Sequence, residues 1–445
     1  MKKTIGLMAC LLLPFLSFAQ QQPQAQDWHL KSIAEDKIYG TGVIKAYAEL
    51  LKGKTPKKVV VAVLDGGIDT LHEDLKANLW RNVKEQPGEL DVDGNGYKGD
   101  VLGWNFLGGA TGQVTAEATE QQRIYFKYKS LFEKVQNEHG LKKKDRQLYQ
   151  IWLKSKSLLT KKDSIAPVNY RALQVKDDYL NIKDRFYGNS NLMGDPYFHG
   201  THVAGIIGAV RGNDKGMDGI ADAVELMGIR VVPNGDEYDK DVALGIRYAV
   251  DNGAQIINMS FGKKLSPERK MVEDAIKYAE KKGVLLINAA GNDGVDVDSL
   301  PHYPTPFYIK GNKKFSNMIT VGASGATAAA LIAPFSNYGD QTVDVFAPGV
   351  GVYSTLPDNK YKALSGTSMA TPVVAGIAAL IKSYYPELSA KRIKFIIEQS
   401  VTKIDFPVIR PKSKGQKVAM TELCTTGGIV NAYNALQMAA GMTKH

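Results

Sequence analysis

Cysteine is nearly missing from this chain of 445 residues: there are two, Cys10 and Cys424. Cys10 lies in an N-terminal stretch with the features of a cleaved targeting signal, so the mature chain is expected to keep Cys424 alone, which excludes an intrachain disulfide. Long hydrophobic runs are missing too. Beyond that first stretch no apolar segment reaches the roughly 18 to 20 residues needed to span a bilayer, so no transmembrane segment is expected in the mature chain. Tandem repeats are absent. Aromatic and basic residues do not interleave as they do in nucleic-acid binders, so no such partner is expected despite a net charge of +10. What remains is a chain that is 44% hydrophobic and long enough to bury a large core, stabilised by packing and by any metal it holds.

The N-terminus begins with Lys2-Lys3, continues as an apolar stretch from Ile5 to Phe18 and ends in Ser17-Phe18-Ala19, a small-residue cleavage site. Residues 1–19 are therefore expected to be a signal peptide, 20–26 a polar leader and 27–440 the folded unit. Leu7-Met8-Ala9-Cys10 superficially matches a lipoprotein cleavage box, but the cysteine comes early and apolar residues continue past it, so lipidation is not expected. An exported, monomeric protein of the periplasm or medium is the expectation.

Strand-like apolar runs at Val59 to Leu64, Glu225 to Val231, Gln255 to Met259, Val284 to Asn288 and Met318 to Ala323 alternate with helical patterns at Asp241 to Asn252, Pro267 to Lys282, Ser368 to Tyr384 and Ser389 to Ser400. This alternation predicts an α/β fold: a doubly wound, mostly parallel sheet with helices on both faces. Tyr39 to Leu51 reads as a helix preceding the first strand.

Three segments carry chemistry: Val63-Leu64-Asp65-Gly66-Gly67-Ile68-Asp69, His199-Gly200-Thr201-His202-Val203-Ala204-Gly205 and Ser365-Gly366-Thr367-Ser368-Met369-Ala370-Thr371-Pro372. Asp65 falls at the C-terminal end of a buried strand, where open α/β sheets place their crevice. His199 falls at the start of a small-residue helix, and Ser368 opens another with Pro372 in its first turn. A serine hydroxyl is a weak nucleophile until an adjacent base takes its proton, and the imidazolium so formed needs a fixed tautomer and a nearby carboxylate. Ser368, His199 and Asp65 supply those parts. Asn292, in Asn288-Ala289-Ala290-Gly291-Asn292-Asp293-Gly294, suits an oxyanion donor together with the backbone N–H of Ser368. His202 is expected to pack inside its helix; Asp69 and His72 are expected to shape a loop and Asp293 the cleft rim.

On these four motifs the chain resembles the subtilases, the subtilisin-like serine peptidases, whose triad runs in the order Asp, His, Ser. The resemblance extends from about Asp27 to about Met438 and implies Asp65, His199 and Ser368 as catalytic residues and Asn292 as oxyanion donor. It implies that Ser260, Phe261 and Gly262 pair with an extended substrate and wall its specificity pocket, opposite Ala289, Ala290 and Gly291. The activity implied is that of an exported serine endopeptidase acting on protein or peptide substrates through an acyl-enzyme, with no cofactor for catalysis. The alternative is a catalytically silent peptide-binding or assembly protein on the same scaffold. An α/β-hydrolase esterase is disfavoured, because its order is Ser, acid, His and Gly366-Thr367-Ser368-Met369-Ala370 lacks the final glycine of Gly-x-Ser-x-Gly. The stretch between Ala19 and the first strand is too short for the separate inhibitory prodomain that many secreted subtilases carry.

The largest departure is an insertion at about 85–195, between the Asp and His motifs. Asp91, Asp93, Asn95 and Asp100, around Gly94 and Gly96, fit either a calcium loop lacking its usual twelfth-position acid, where Leu102 stands, or a plain Asx-rich turn. Trp104-Asn105-Phe106 is expected to anchor this loop to the core. Thr115 to Leu159 predicts an αα-hairpin broken at His139-Gly140. One face carries Ile124, Tyr128, Leu131 and Val135, and the other Leu148, Ile151, Trp152 and Leu159. Its lysines, Lys142 to Lys144 with Lys161 and Lys162, read as a solvated face, the alternative being a patch that favours acidic partners or an anionic surface. The hairpin is expected to restrict access to the cleft.

Overall fold

Valine and alanine in continuous runs, buried on both faces, dictate central parallel strands, and the computed structural model is built on them. It describes residues 25–443 apart from Thr111 and Ser164; the expected signal peptide and residues 20–24 of the leader lie outside the described residues. The strands are β1 (Val59–Asp65), β2 (Gly103–Asn105), β3 (Val224–Arg230), β4 (Ile256–Met259), β5 (Leu285–Ala289), β6 (Met318–Ser324), β7 (Val345–Pro348), β8 (Val352–Leu356), β9 (Lys360–Leu364), β10 (Thr402–Lys403), β11 (Val408–Ile409), β12 (Lys417–Val418) and β13 (Gly428–Ile429).

Nine of them form one sheet in the order β2, β3, β1, β4, β5, β6, β7, β13, β10, parallel throughout except where β10 meets β13. Strand order reverses at β1, whose neighbours β3 and β4 lie on opposite sides, and Asp65 sits at that switch point. Alternate residues of β1 feed two cores. Val61 and Val63 face the helices Tyr197–Gly208, Thr367–Tyr384 and Ala390–Gln399, while Ala62 and Leu64 face Asp239–Asp251 and Arg269–Lys282. The doubly wound arrangement read from the alternation is thus the one observed. No helix among the described residues is long and apolar enough to cross a membrane.

Some boundaries differ from expectation. The helix expected from Tyr39 begins at Val43, because Gly42 before it is held at φ +71°, and it widens to π geometry over Ala46–Leu50; a short helix, Ile33–Asp36, precedes it. The inserted hairpin is present as Glu120–Phe132 and Lys143–Leu158, its core being Phe132, Tyr149 and Trp152 with Tyr128, Val135 and Leu148 packed against them. Leu131, placed with Tyr128 and Val135 from its spacing, is 56% exposed. Trp104 and Phe106 are buried on and beside β2, as expected of an anchor. The antiparallel hairpin β8–β9 gave no pattern to read, since β9 is Lys-Tyr-Lys-Ala-Leu and largely exposed.

Two histidines are fully buried without full hydrogen bonding. His29 has no partner at either ring nitrogen and His202 none at Nδ1, its Nε2 donating 2.9 Å to the Lys362 carbonyl of β9. Burial lowers both from 6.5 to about 4. Between these values the unfolded chain binds protons that the native chain does not, so acidification from pH 6.5 to 4 is expected to remove about 3 kcal/mol of stability per histidine. Urea titrations of the native chain and of His29→Phe across that window check this: the substitution should flatten the pH dependence, and an unchanged slope would refute the assignment.

Candidate active site

Asp65 ends β1 with its carboxylate 2% exposed. Oδ1 accepts the Gly66 N–H at 2.7 Å, and the two oxygens share the Nδ1–H of His199 at 2.8 and 3.0 Å. The approach needs glycine on the partner helix, for a Cβ on Gly200 would stand 2.1 Å from the Gly67 carbonyl and 3.0 Å from the Asp65 Cβ. His199 sits in the first turn of Tyr197–Gly208 and keeps 30% of its side chain exposed. Burial alone would lower its pKa, but the charge and hydrogen bond of Asp65 outweigh that and raise it above 6.5.

Ser368 is the second residue of Thr367–Tyr384, which puts Pro372 in the second turn rather than the first. Proline has no N–H to offer the carbonyl four residues back, which is that of Ser368. Ser260 fills the gap: its Oγ donates to the Ser368 carbonyl at 2.9 Å, and Ser368 Oγ donates in return to the Ser260 carbonyl at 2.9 Å. The hydroxyl therefore rests on Ser260 and not on His199. Asn292 Oδ1 accepts from the N–H and hydroxyl of Thr367 at 2.9 and 3.1 Å, which fixes the amide. Among the described residues its Nδ2 and the Ser368 N–H have no protein acceptor.

Beside Ser368 opens a cleft of about 400 Å³ walled by Phe261 and Gly262 on one side and by Ala289, Gly291 and Asn292 on the other. Two residues expected in these walls are elsewhere. Ser260 is buried against the Ser368 backbone, and Ala290 packs among Val297, Ile332 and Phe346. His302 lies between the walls, where sequence gave no signal for it. A Cβ on Gly262 or on Gly291 would come within 2.8 Å of its Nε2. Burial lowers it to about 4, so it is neutral at neutral pH. Asp293 forms an ion pair with Lys264 at 3.2 Å on the rim, and Asp69 and His72 bond the loop after β1 to residues 358 and 360.

The insertion docks through buried charge. Lys263, in the cleft wall, places Nζ 2.7 Å from Glu120 Oε2, 3.0 Å from Asp239 Oδ1 and 2.8 Å from the Glu237 carbonyl. Arg123 adds bonds to Glu120 and to the carbonyls of Asp236 and Glu237. Sequence reading gave no sign of these ties, because Glu120 and Arg123 meet Lys263, Asp236 and Glu237 from over a hundred positions away. Nearer the start of the insertion, carboxylate oxygens of Glu85, Asp93 and Asp100 lie within 4.8 Å of one another. Glu85 was not foreseen. Asp91 and Asn95 instead accept backbone N–H groups of the turn, and the Asn95 amide donates to Asp93 and Asp100.

Known proteins share this plan. The model of the family described as Subtilase family matches residues 56–424. Thermitase of Thermoactinomyces vulgaris is 38% identical over 240 residues, 54% of this chain and 75% of that protein. A thermostable alkaline protease of Halalkalibacterium halodurans is 39% identical over 210 residues, 47% of this chain and 54% of that one, so the chain spans about half of that relative's length. In fold, a solved protease from Pseudoalteromonas arctica PAMC 21717 superimposes with a TM-score of 0.55 over 93% of this chain and 97% of its own, at 23% identity.

Removing Glu120 leaves Lys263 buried and short of a counter-charge, so Glu120→Ala is expected to lower unfolding stability by about 3 kcal/mol in urea titration. A loss under about 1 kcal/mol would show that the network does not hold the insertion.

Proposed function

This chain belongs to the subtilase family, and we propose that it is an exported serine endopeptidase that hydrolyses protein or peptide substrates through an acyl-enzyme. The observation that carries the reading is the short Asp65–His199 bond near a hydroxyl at a helix start and a fixed amide whose Nδ2 has no acceptor among the described residues. Asp65 holds the Nδ1–H tautomer, which leaves His199 Nε2 as the basic nitrogen. A χ1 turn of Ser368 away from the Ser260 carbonyl brings Oγ to that nitrogen, a tightening common when substrate binds. Oγ attacks the scissile carbonyl as its proton passes to Nε2. The negative oxygen is met by Asn292 Nδ2 and the Ser368 N–H, and the imidazolium protonates the departing amine. Water then repeats the sequence to release the acid. Phe261, Gly262, Ala289 and Gly291 border the substrate side chain, with neutral His302 at the base.

A fluorophosphonate probe is expected to label the native chain and not Ser368→Ala, and persistent labelling would remove Ser368 as nucleophile. Loss of Asn292 is expected to slow turnover by about 100- to 1,000-fold, the effect of deleting one such donor in a subtilisin. Because His199 must be neutral to act, kcat/KM should fall as pH drops through a value above 6.5. In Asp65→Asn the residual activity should show this limb moved lower, and an unmoved limb would refute the pairing as its cause.

The Glu85, Asp93 and Asp100 oxygens are the hard donors calcium prefers, and calcium there would brace the start of the insertion without entering the reaction. Calcium is expected to raise the melting temperature and EDTA to lower it, a difference that Asp93→Asn abolishes. Equal melting in both solutions would remove the metal.

A further inference from the structure

We propose that the first turn of the inserted helix is a specificity-determining wall of the substrate cleft, with Gln121 as the residue that reads the peptide. The inference rests on the serine endopeptidase reading above. Gln121 lines the same cleft as Ser368, Phe261 and Asn292, although it belongs to the insertion and lies far from all three in sequence. Its neighbours hold it there. Glu120, one residue before, donates its backbone N–H to Asp236 Oδ2 at 2.7 Å and binds Lys263 through its carboxylate. Asp236 and Lys263 both line the cleft, so one helical turn ties two separated parts of its wall and seats Gln121 beside them.

The wall cannot drift far from the nucleophile. The backbone of Lys263 is bridged to Tyr303 by bonds of 3.0 and 2.8 Å, and three residues earlier Ser260 exchanges hydrogen bonds with Ser368. Arg123 closes the other end on the carbonyls of Asp236 and Glu237. Gln121 is the exception in this turn: among the described residues its amide has no hydrogen-bond partner, while Glu120 and Arg123 are engaged with the protein. A half-buried amide lining the same cleft as Ser368, with donor and acceptor both open among the described residues, fits an extended peptide that presents a hydrogen-bonding group near the scissile bond. Cleavage preference at that position is then set by the insertion.

The test compares native enzyme, Gln121→Glu and Gln121→Lys on peptides carrying Lys or Glu at each position flanking the cleaved bond, with thermal melts confirming that each variant folds. At one position the Lys-to-Glu ratio of kcat/KM is expected to differ at least tenfold between the two variants, in the sense of opposite charges attracting. Ratios agreeing within twofold at every position would overturn the proposal. If the native enzyme neither cleaves any peptide nor labels with a fluorophosphonate, the endopeptidase reading itself has failed. Cleavage with indifferent ratios refutes the role of Gln121 alone.

Discussion

One buried cation, the guanidinium of Arg230 at the end of β3, ties the segments that carry Asp65 and His199 to the start of the insertion. Its Nε donates to the Gly66 carbonyl, its other nitrogens to the Asn105 and Gln113 side chains and to the Val114 and Asp195 carbonyls. No carboxylate forms an ion pair with it among the described residues. A buried charge is costly unless its donors are met, and here neutral oxygens from four separate segments meet them. Burial lowers its pKa to about 10, so it stays charged at neutral pH. Gly66 follows Asp65 and Asp195 precedes His199 by four residues, so the geometry of the Asp65–His199 bond depends on this one side chain.

The insertion extends the same logic outward. Arg171 reaches Asp241, Lys240 reaches Asp177, and Lys263 reaches Glu120, each pair joining inserted residues to the rest of the fold. Pairs of this kind contribute less to net stability than to position, because desolvation offsets much of their attraction while misplacement leaves a bare charge. A hairpin whose own core is little more than Phe132, Tyr149 and Trp152 is oriented by them.

Chemistry and folding meet in the serine helix. Pro372 removes one helical hydrogen bond, Ser260 restores it, and the same residue's carbonyl holds the Ser368 hydroxyl at rest. The strand that leads into the cleft wall thus also fixes the Ser368 side chain. This explains why Ser260, expected on the pocket surface, lies beneath it.

Much of this was legible in the chain itself. Strands β1, β3, β4, β5 and β6 and the helices between them follow from apolar period and small-residue runs, since burial on one or both faces leaves that imprint on local sequence. The motifs around Asp65, His199, Ser368 and Asn292 were readable because a strand end or a helix start fixes what lies beside it. Short β2, exposed β9, the His302 base of the cleft, Glu85 beside Asp93 and Asp100, and the Glu120–Lys263 tie were not. Each depends on a neighbour distant along the chain, and a charged residue in a helix reads as solvated until its partner is known. Local pattern determined the elements and the chemical groups they carry; packing alone decided which of those groups face one another.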